Sequence, residues 1–116
     1  MSKPVAHYSA SYRAGDLLFI SGQIGIAEGS LVDGVEAQTT QALANAQSVL
    51  DQNGLTLDDV VKCTVFMTDI ENFSAVNDVY AGVFGDHRPS RSAIAVKALP
   101  LGALVEIEAI AHISTS

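Results

Sequence analysis

The chain is 116 residues long, with thirteen acidic residues against six basic ones, a formal net charge of −7 and a single cysteine. That length suits one domain, residues 1–116, with a core of its own, and one cysteine excludes an intramolecular disulfide and any multi-cysteine metal site. The negative charge repels phosphate backbones and anionic membrane surfaces, so neither nucleic acid nor a bilayer is an expected partner.

The opening segment, MSKPVAHYSASY, has no apolar stretch of the signal-peptide kind, and no run approaches the ~18 residues that cross a bilayer. A soluble cytoplasmic protein is expected. No repeat, linker or low-complexity segment divides the chain. Residues 16–26, DLLFISGQIGI, read as a strand broken at the glycine of SGQ, and Leu17-Leu18-Phe19-Ile20 is apolar on both faces, as in a strand covered on both sides. EGSLVDG reads as a loop. From Val35 to about Asn53, Ala42, Leu43, Ala46, Val49 and Leu50 recur at helical spacing, with Asn53-Gly54 as the stop.

VVKCTVFMT, residues 60–68, is β-branched and apolar on both parities, which marks a central strand. Phe73, Val76, Tyr80, Val83 and Phe84 form the stripe of a second helix, with Asn72 as cap and Gly85 as stop. SAIAVKA, 92–98, and LVEIEAIAHI, 104–113, are joined by LPLGA and read as an antiparallel hairpin. The order predicts an α+β domain, two helices on one face of a mixed sheet. Strands apolar on both sides leave the other face in need of cover, most simply a second copy of the chain, with any cleft at the subunit interface.

The last strand poses a chemical question. Glu106 and Glu108 lie two residues apart on one face of an apolar strand, where a carboxylate is costly unless it is paired, wetted or put to use. Cations are few: Lys3, Arg13, Lys62, Arg88, Arg91 and Lys97, with Arg88 and Arg91 together in HRPSR. In the expected hairpin, one register sets Ala93 opposite Glu108 with Arg91 one step along the same face. Arg91 could grip a substrate carboxylate through two parallel hydrogen bonds, and Glu108 could handle a water or protonate a carbon. Spacing alone equally describes a cross-strand ion pair. His7, His87 and His112 lack metal-ligand spacing, Cys63 reads as a buried hydrophobe, and Ser21 lacks the frame of a nucleophile elbow.

SGQIG, EAQTTQALANAQSVL, DDVVKCTVFMTDIENFSAVNDVY, RPSRS and VEIEAIA occur in an order and spacing that resemble the Rid (YjgF-like) reactive-intermediate imine deaminases over essentially the whole chain. The resemblance implies a chorismate-mutase-like α+β homotrimer with active sites between subunits. It places the carboxylate-binding arginine at Arg91, the water-handling glutamate at Glu108, and further substrate contacts at Tyr8, Ser21 and Gly22. Two residues beyond the arginine, where many members carry a cysteine that helps hold the water, this chain has Ala93. Gly-Pro before the tyrosine is replaced by Ala6-His7, and the loop from Phe84 to Arg91 is short. The implied reaction is hydrolytic deamination of 2-enamino or 2-imino acids such as 2-aminoacrylate, with no cofactor and with Glu106 at the subunit contact. A non-catalytic module binding small carboxylates or proteins, and an aminomuconate-type deaminase, are the alternatives.

Overall fold

Alternation in the last strand decides the architecture. The computed structural model describes residues 6–114, so Lys3 lies outside the described residues. Strands β1 (Ser11–Ala14) and β2 (Leu17–Ile24) form a hairpin, and β3 (Ile26–Ala27) pairs with β4 (Ser30–Leu31) in a small ribbon. Helix α1 (Val35–Gln52) leads to β5 (Val60–Met67), helix α2 (Phe73–Phe84), β6 (Ser90–Ala95) and β7 (Val105–His112). The main sheet has five strands in the order β1-β2-β7-β5-β6. β7 occupies the middle because Val105, Ile107, Ala109 and Ala111, all buried, form an unbroken apolar face that either neighbour can continue.

The expected hairpin between the last two strands does not form. β6 runs parallel to β5, with Arg91 opposite Cys63 and Ala93 opposite Val65. β7 is antiparallel to β5, with Glu108 opposite Thr64 and Glu106 opposite Phe66. The connection 96–104 is long enough to cross the end of β5: Val96 N donates to the Met67 carbonyl at 2.8 Å, and Thr68 N to the Leu104 carbonyl at 3.2 Å. Its tight turn, Pro100–Gly102, puts Leu101 and Gly102 at φ 58° and 76°. β5, α2 and β6 therefore make a βαβ unit, and β6 becomes an edge strand.

The two helices both lie on the face that carries Cys63, Val65, Ile107 and Ala109, as the sequence predicts. Leu43, Leu50, Val76 and Tyr80 pack there against Leu18, Ile20 and Met67. Each fully buried aliphatic side chain contributes about 1.5–3 kcal/mol of transfer free energy. Buried Gln38 ties this layer to the loops, donating from Nε2 to the Val32 carbonyl (3.1 Å) and accepting from Leu104 N at Oε1 (2.8 Å). The α1 boundaries match the expected ones, with Asn53 following the last turn. At α2, Asn72 makes no side-chain cap; Asp69 instead caps the preceding short turn, accepting from Glu71 N at 2.9 Å.

The opposite face stays uncovered within one chain. Leu17, Phe19 and Ile94 retain 36%, 41% and 46% of their exposure, so the expectation that β2 is enclosed on both sides is not met by this chain alone. β1 has no apolar run and escapes notice in the sequence; the Gly15 turn at φ 60° creates it.

Candidate functional site

The candidate residues fall into two groups on opposite faces of the sheet. Arg91 shares the helix side with Cys63, whereas Glu108 shares the open side with Thr64. The expected placement of Arg91 and Ala93 beside Glu108 is therefore wrong: β5 lies between their strands, and the side chains leave from different faces. The inserted strand inverts the pairing that the short connection suggests.

On the helix side, Arg91 is held from three directions. One terminal nitrogen, Nη1, donates to Asn77 Oδ1 at 2.9 Å, and the guanidinium carbon lies 4.8 Å from the Tyr80 ring centroid and 5.7 Å from that of Phe73. The aromatic faces attract the cation and fix its plane, while one hydrogen bond leaves the remaining donors for a ligand. Phe73, Asn77 and Tyr80 follow the i, i+4, i+7 spacing of one helical face, so the asparagine on an apolar stripe was the sequence signal for this contact. A cavity of about 410 Å³ opens here, lined by Asn77, Tyr80, Phe84, His87, Arg88 and Arg91 among others. Ala93, on the same side as Arg91, packs against the core.

Beneath this cavity sit Cys63 and Tyr80. The tyrosine hydroxyl is buried beside the Cys63 thiol, with no stronger partner. Burial pushes the Cys63 thiol up, with Tyr80 and Arg91 opposing the shift, and burial together with the thiol pushes the Tyr80 phenol up. Cys63 is thus the inert core residue that the sequence suggests.

On the open side, the β2–β7 register slips between Ile20 and Gln23, and the extra residue forms a bulge at Ser21-Gly22. Ser21 Oγ donates to the Ser9 carbonyl at 2.6 Å, and Ser21 N to the Ala10 carbonyl at 3.0 Å. These bonds hold the segment bearing the exposed Tyr8 beside the bulge. A groove of about 340 Å³ is lined there by Tyr12, Phe19, Ser21, Glu108 and Ile110. Glu106 sits directly against Gly22, where a Cβ would overlap its carboxylate, so glycine is what lets the acid lie flat on the bulge.

The two acids differ in setting. Glu106 is half-buried and Glu108 exposed, and neither pairs with a cation among the described residues. Burial, and then the charge of Glu108, hold the Glu106 carboxyl above the usual carboxylate range. Burial thus biases the Glu106 carboxyl toward its protonated form, the bias that suits an acid role.

Comparison with known proteins places this arrangement. A family model described as endoribonuclease L-PSP matches residues 1–113. A solved Rid-family protein from Yersinia pestis, YyfA, superposes with a TM-score of 0.92 at 46% identity, covering 95% of this chain and 90% of that one. The chain belongs to the Rid (YjgF) family. Among its Rid relatives, the 2-iminobutanoate/2-iminopropanoate deaminase of Capra hircus is 46% identical over 110 residues, 92% of this chain and 80% of that protein. Escherichia coli TdcF, solved with bound serine, matches with a TM-score of 0.92 and 34% identity over 97% of this chain and 92% of its own.

The Rid fold thus carries Tyr8, Ser21, Gly22, Glu106 and Glu108 on one side and Arg91 and Ala93 on the other. His7 precedes β1, His87 follows α2 and His112 ends β7, and no group of three metal-binding side chains converges among the described residues. No helix among them is long and apolar enough to cross a membrane.

Proposed function

We propose that this Rid-family protein hydrolyses 2-enamino and 2-imino acids to 2-oxo acids and ammonia, in sites completed between copies of the chain. The supporting observation is the division of the site: an arginine held for anion binding lies on one face, and a carboxyl biased toward protonation lies on the other. A homotrimer that buries Leu17, Phe19 and Ile94 would bring Arg91 of one copy toward the Gly22–Glu106 bulge of the next.

In this reaction Arg91 holds the substrate carboxylate. A carboxyl group on the bulge gives its proton to C3 of a 2-aminoacrylate-like enamine, turning the C2–C3 double bond into a C2–N imine. The resulting carboxylate takes a proton from water as the oxygen attacks C2 and passes it to nitrogen. As the C–N bond breaks and ammonia leaves, the C2 hydroxyl becomes the carbonyl of the 2-oxo acid and its proton returns to the carboxylate, regenerating the acid. The iminium is already an electrophile, so the scheme uses no cofactor. We assign the proton to Glu106, which lies against Gly22 on the bulge and whose carboxyl is raised by burial, and leave Glu108, the position implied by sequence resemblance, as the acid that lines the groove beside it. Tyr8, Ser21 and Gly22 would border the substrate.

The goat relative named as an imine deaminase supports the chemistry, and TdcF with bound serine supports a site sized for small amino acids. That serine also favours a second reading, a binding module without turnover. An RNA substrate fits less well with a net charge of −7 and six basic residues. The deciding experiment couples an amino-acid oxidase that generates imino acids to the purified protein and follows ammonia release. Acceleration well above buffer is expected; a rate equal to buffer would leave the binding module. Sedimentation at micromolar concentration should show a trimer, and a folded monomer would remove the composite site.

A further inference from the structure

The cavity beside Arg91 holds a second cation that the deamination scheme does not use. Arg88 lines it, three residues before Arg91, and makes no hydrogen bond or ion pair among the described residues. His87 lines it too, but Nε2 lies 2.7 Å from the Val60 carbonyl, so that nitrogen is occupied as a donor. No aspartate or glutamate lines the cavity, although the chain has thirteen such residues against six basic ones. Two of those six face one small space with no compensating acid, which concentrates positive potential there.

The loop is built to present Arg88. Gly85, at φ 65°, turns the chain out of α2; the His87 ring is tilted against Phe84 with centroids 6.2 Å apart. Pro89 restricts the backbone after Arg88, and Ser90 Oγ donates to the Val61 carbonyl at 3.3 Å. The chain is thus anchored on both sides of the arginine. Three residues of chain separate the Cα atoms of Arg88 and Arg91 by at most about 10 Å. Two long side chains from such positions can reach the two ends of a four- or five-carbon diacid.

We propose that Arg88 supplies a second carboxylate contact, so that the site takes 2-imino and 2-oxo dicarboxylates in preference to their monocarboxylate counterparts. The inference rests on the assignment of Arg91 to the 2-carboxylate and names the substrate class for that site. Substrates of this class arise from enzymes that oxidise acidic amino acids at the α-carbon, or that eliminate a β-substituent from them with the amine retained.

Binding of 2-oxoglutarate and of 2-oxopentanoate, which has the same five carbons without the terminal carboxylate, tests it by calorimetry on the assembled protein. The parent should bind the dicarboxylate about 10- to 100-fold more tightly, the range of one charge-assisted hydrogen-bonded pair. In Arg88→Gln the ratio should collapse toward one, and Arg88→Lys should restore part of it. Equal affinities in the parent, or a ratio that survives Arg88→Gln, would overturn the proposal. Ammonia release from 2-iminoglutarate and 2-iminopentanoate, generated in place by amino-acid oxidases, keeps the two readings apart. If neither imine is turned over while the binding ratio behaves as stated, deamination fails and the dicarboxylate site stands.

Discussion

Arg91→Lys is expected to lower kcat/KM for imino-acid deamination by about 30- to 1000-fold, the equivalent of ~2–4 kcal/mol for a lost charge-assisted pair. Lysine keeps the charge but not the fork. It could not hold the Asn77 contact at 2.9 Å, lie flat on Tyr80, and still offer two parallel donors to a carboxylate. The defect should fall largely on substrate affinity, since the arginine grips a group that does not react. Steady-state kinetics with a melting curve for each variant separates this from unfolding. Near-full activity in Arg91→Lys would place the anchor elsewhere in the cavity.

The helices and most strands were legible in the sequence because single-face periodicity is a local property. Leu43, Ala46 and Leu50 mark α1 without knowledge of what they touch, and the alternation from Val105 to Ala111 marks β7. Strand order is not local. A short, turn-rich connection between 92–98 and 104–113 looks like a hairpin, and only the competition for the central place in the sheet shows that β5 lies between. Side-chain parity was correct within each strand, so Arg91 and Ala93 do share a face, but whether they share it with Glu108 depended on that order. Arg88 was noted beside Arg91 because cations are few, but Asn77 escaped for a different reason: an asparagine on a helix is ordinary until a cavity is found beside it.

The choice between Glu106 and Glu108 is the sharper test of mechanism. Glutamine keeps the size of the side chain and its place on Gly22 but cannot deliver a proton to carbon or take one from water. Glu106→Gln should therefore reduce deamination by about 10²- to 10⁴-fold, the range of a lost general acid–base. Stability should move the other way. Glu106 is raised in the folded state by burial and by Glu108, so folding binds its proton more tightly than the unfolded chain does. That contribution is present below the ordinary carboxylate range and is lost as pH rises through the raised value. At neutral pH Glu106→Gln should thus melt no lower than the parent, and the gap should close on acidification. Glu108→Gln should act indirectly, since removing the neighbouring charge lowers the Glu106 pKa. The limb of the pH–rate profile that requires a protonated carboxyl should then shift to lower pH with a modest change in maximal rate. Full loss in Glu108→Gln with activity retained in Glu106→Gln would transfer the proton to the exposed acid and make the half-buried one a wall of the site.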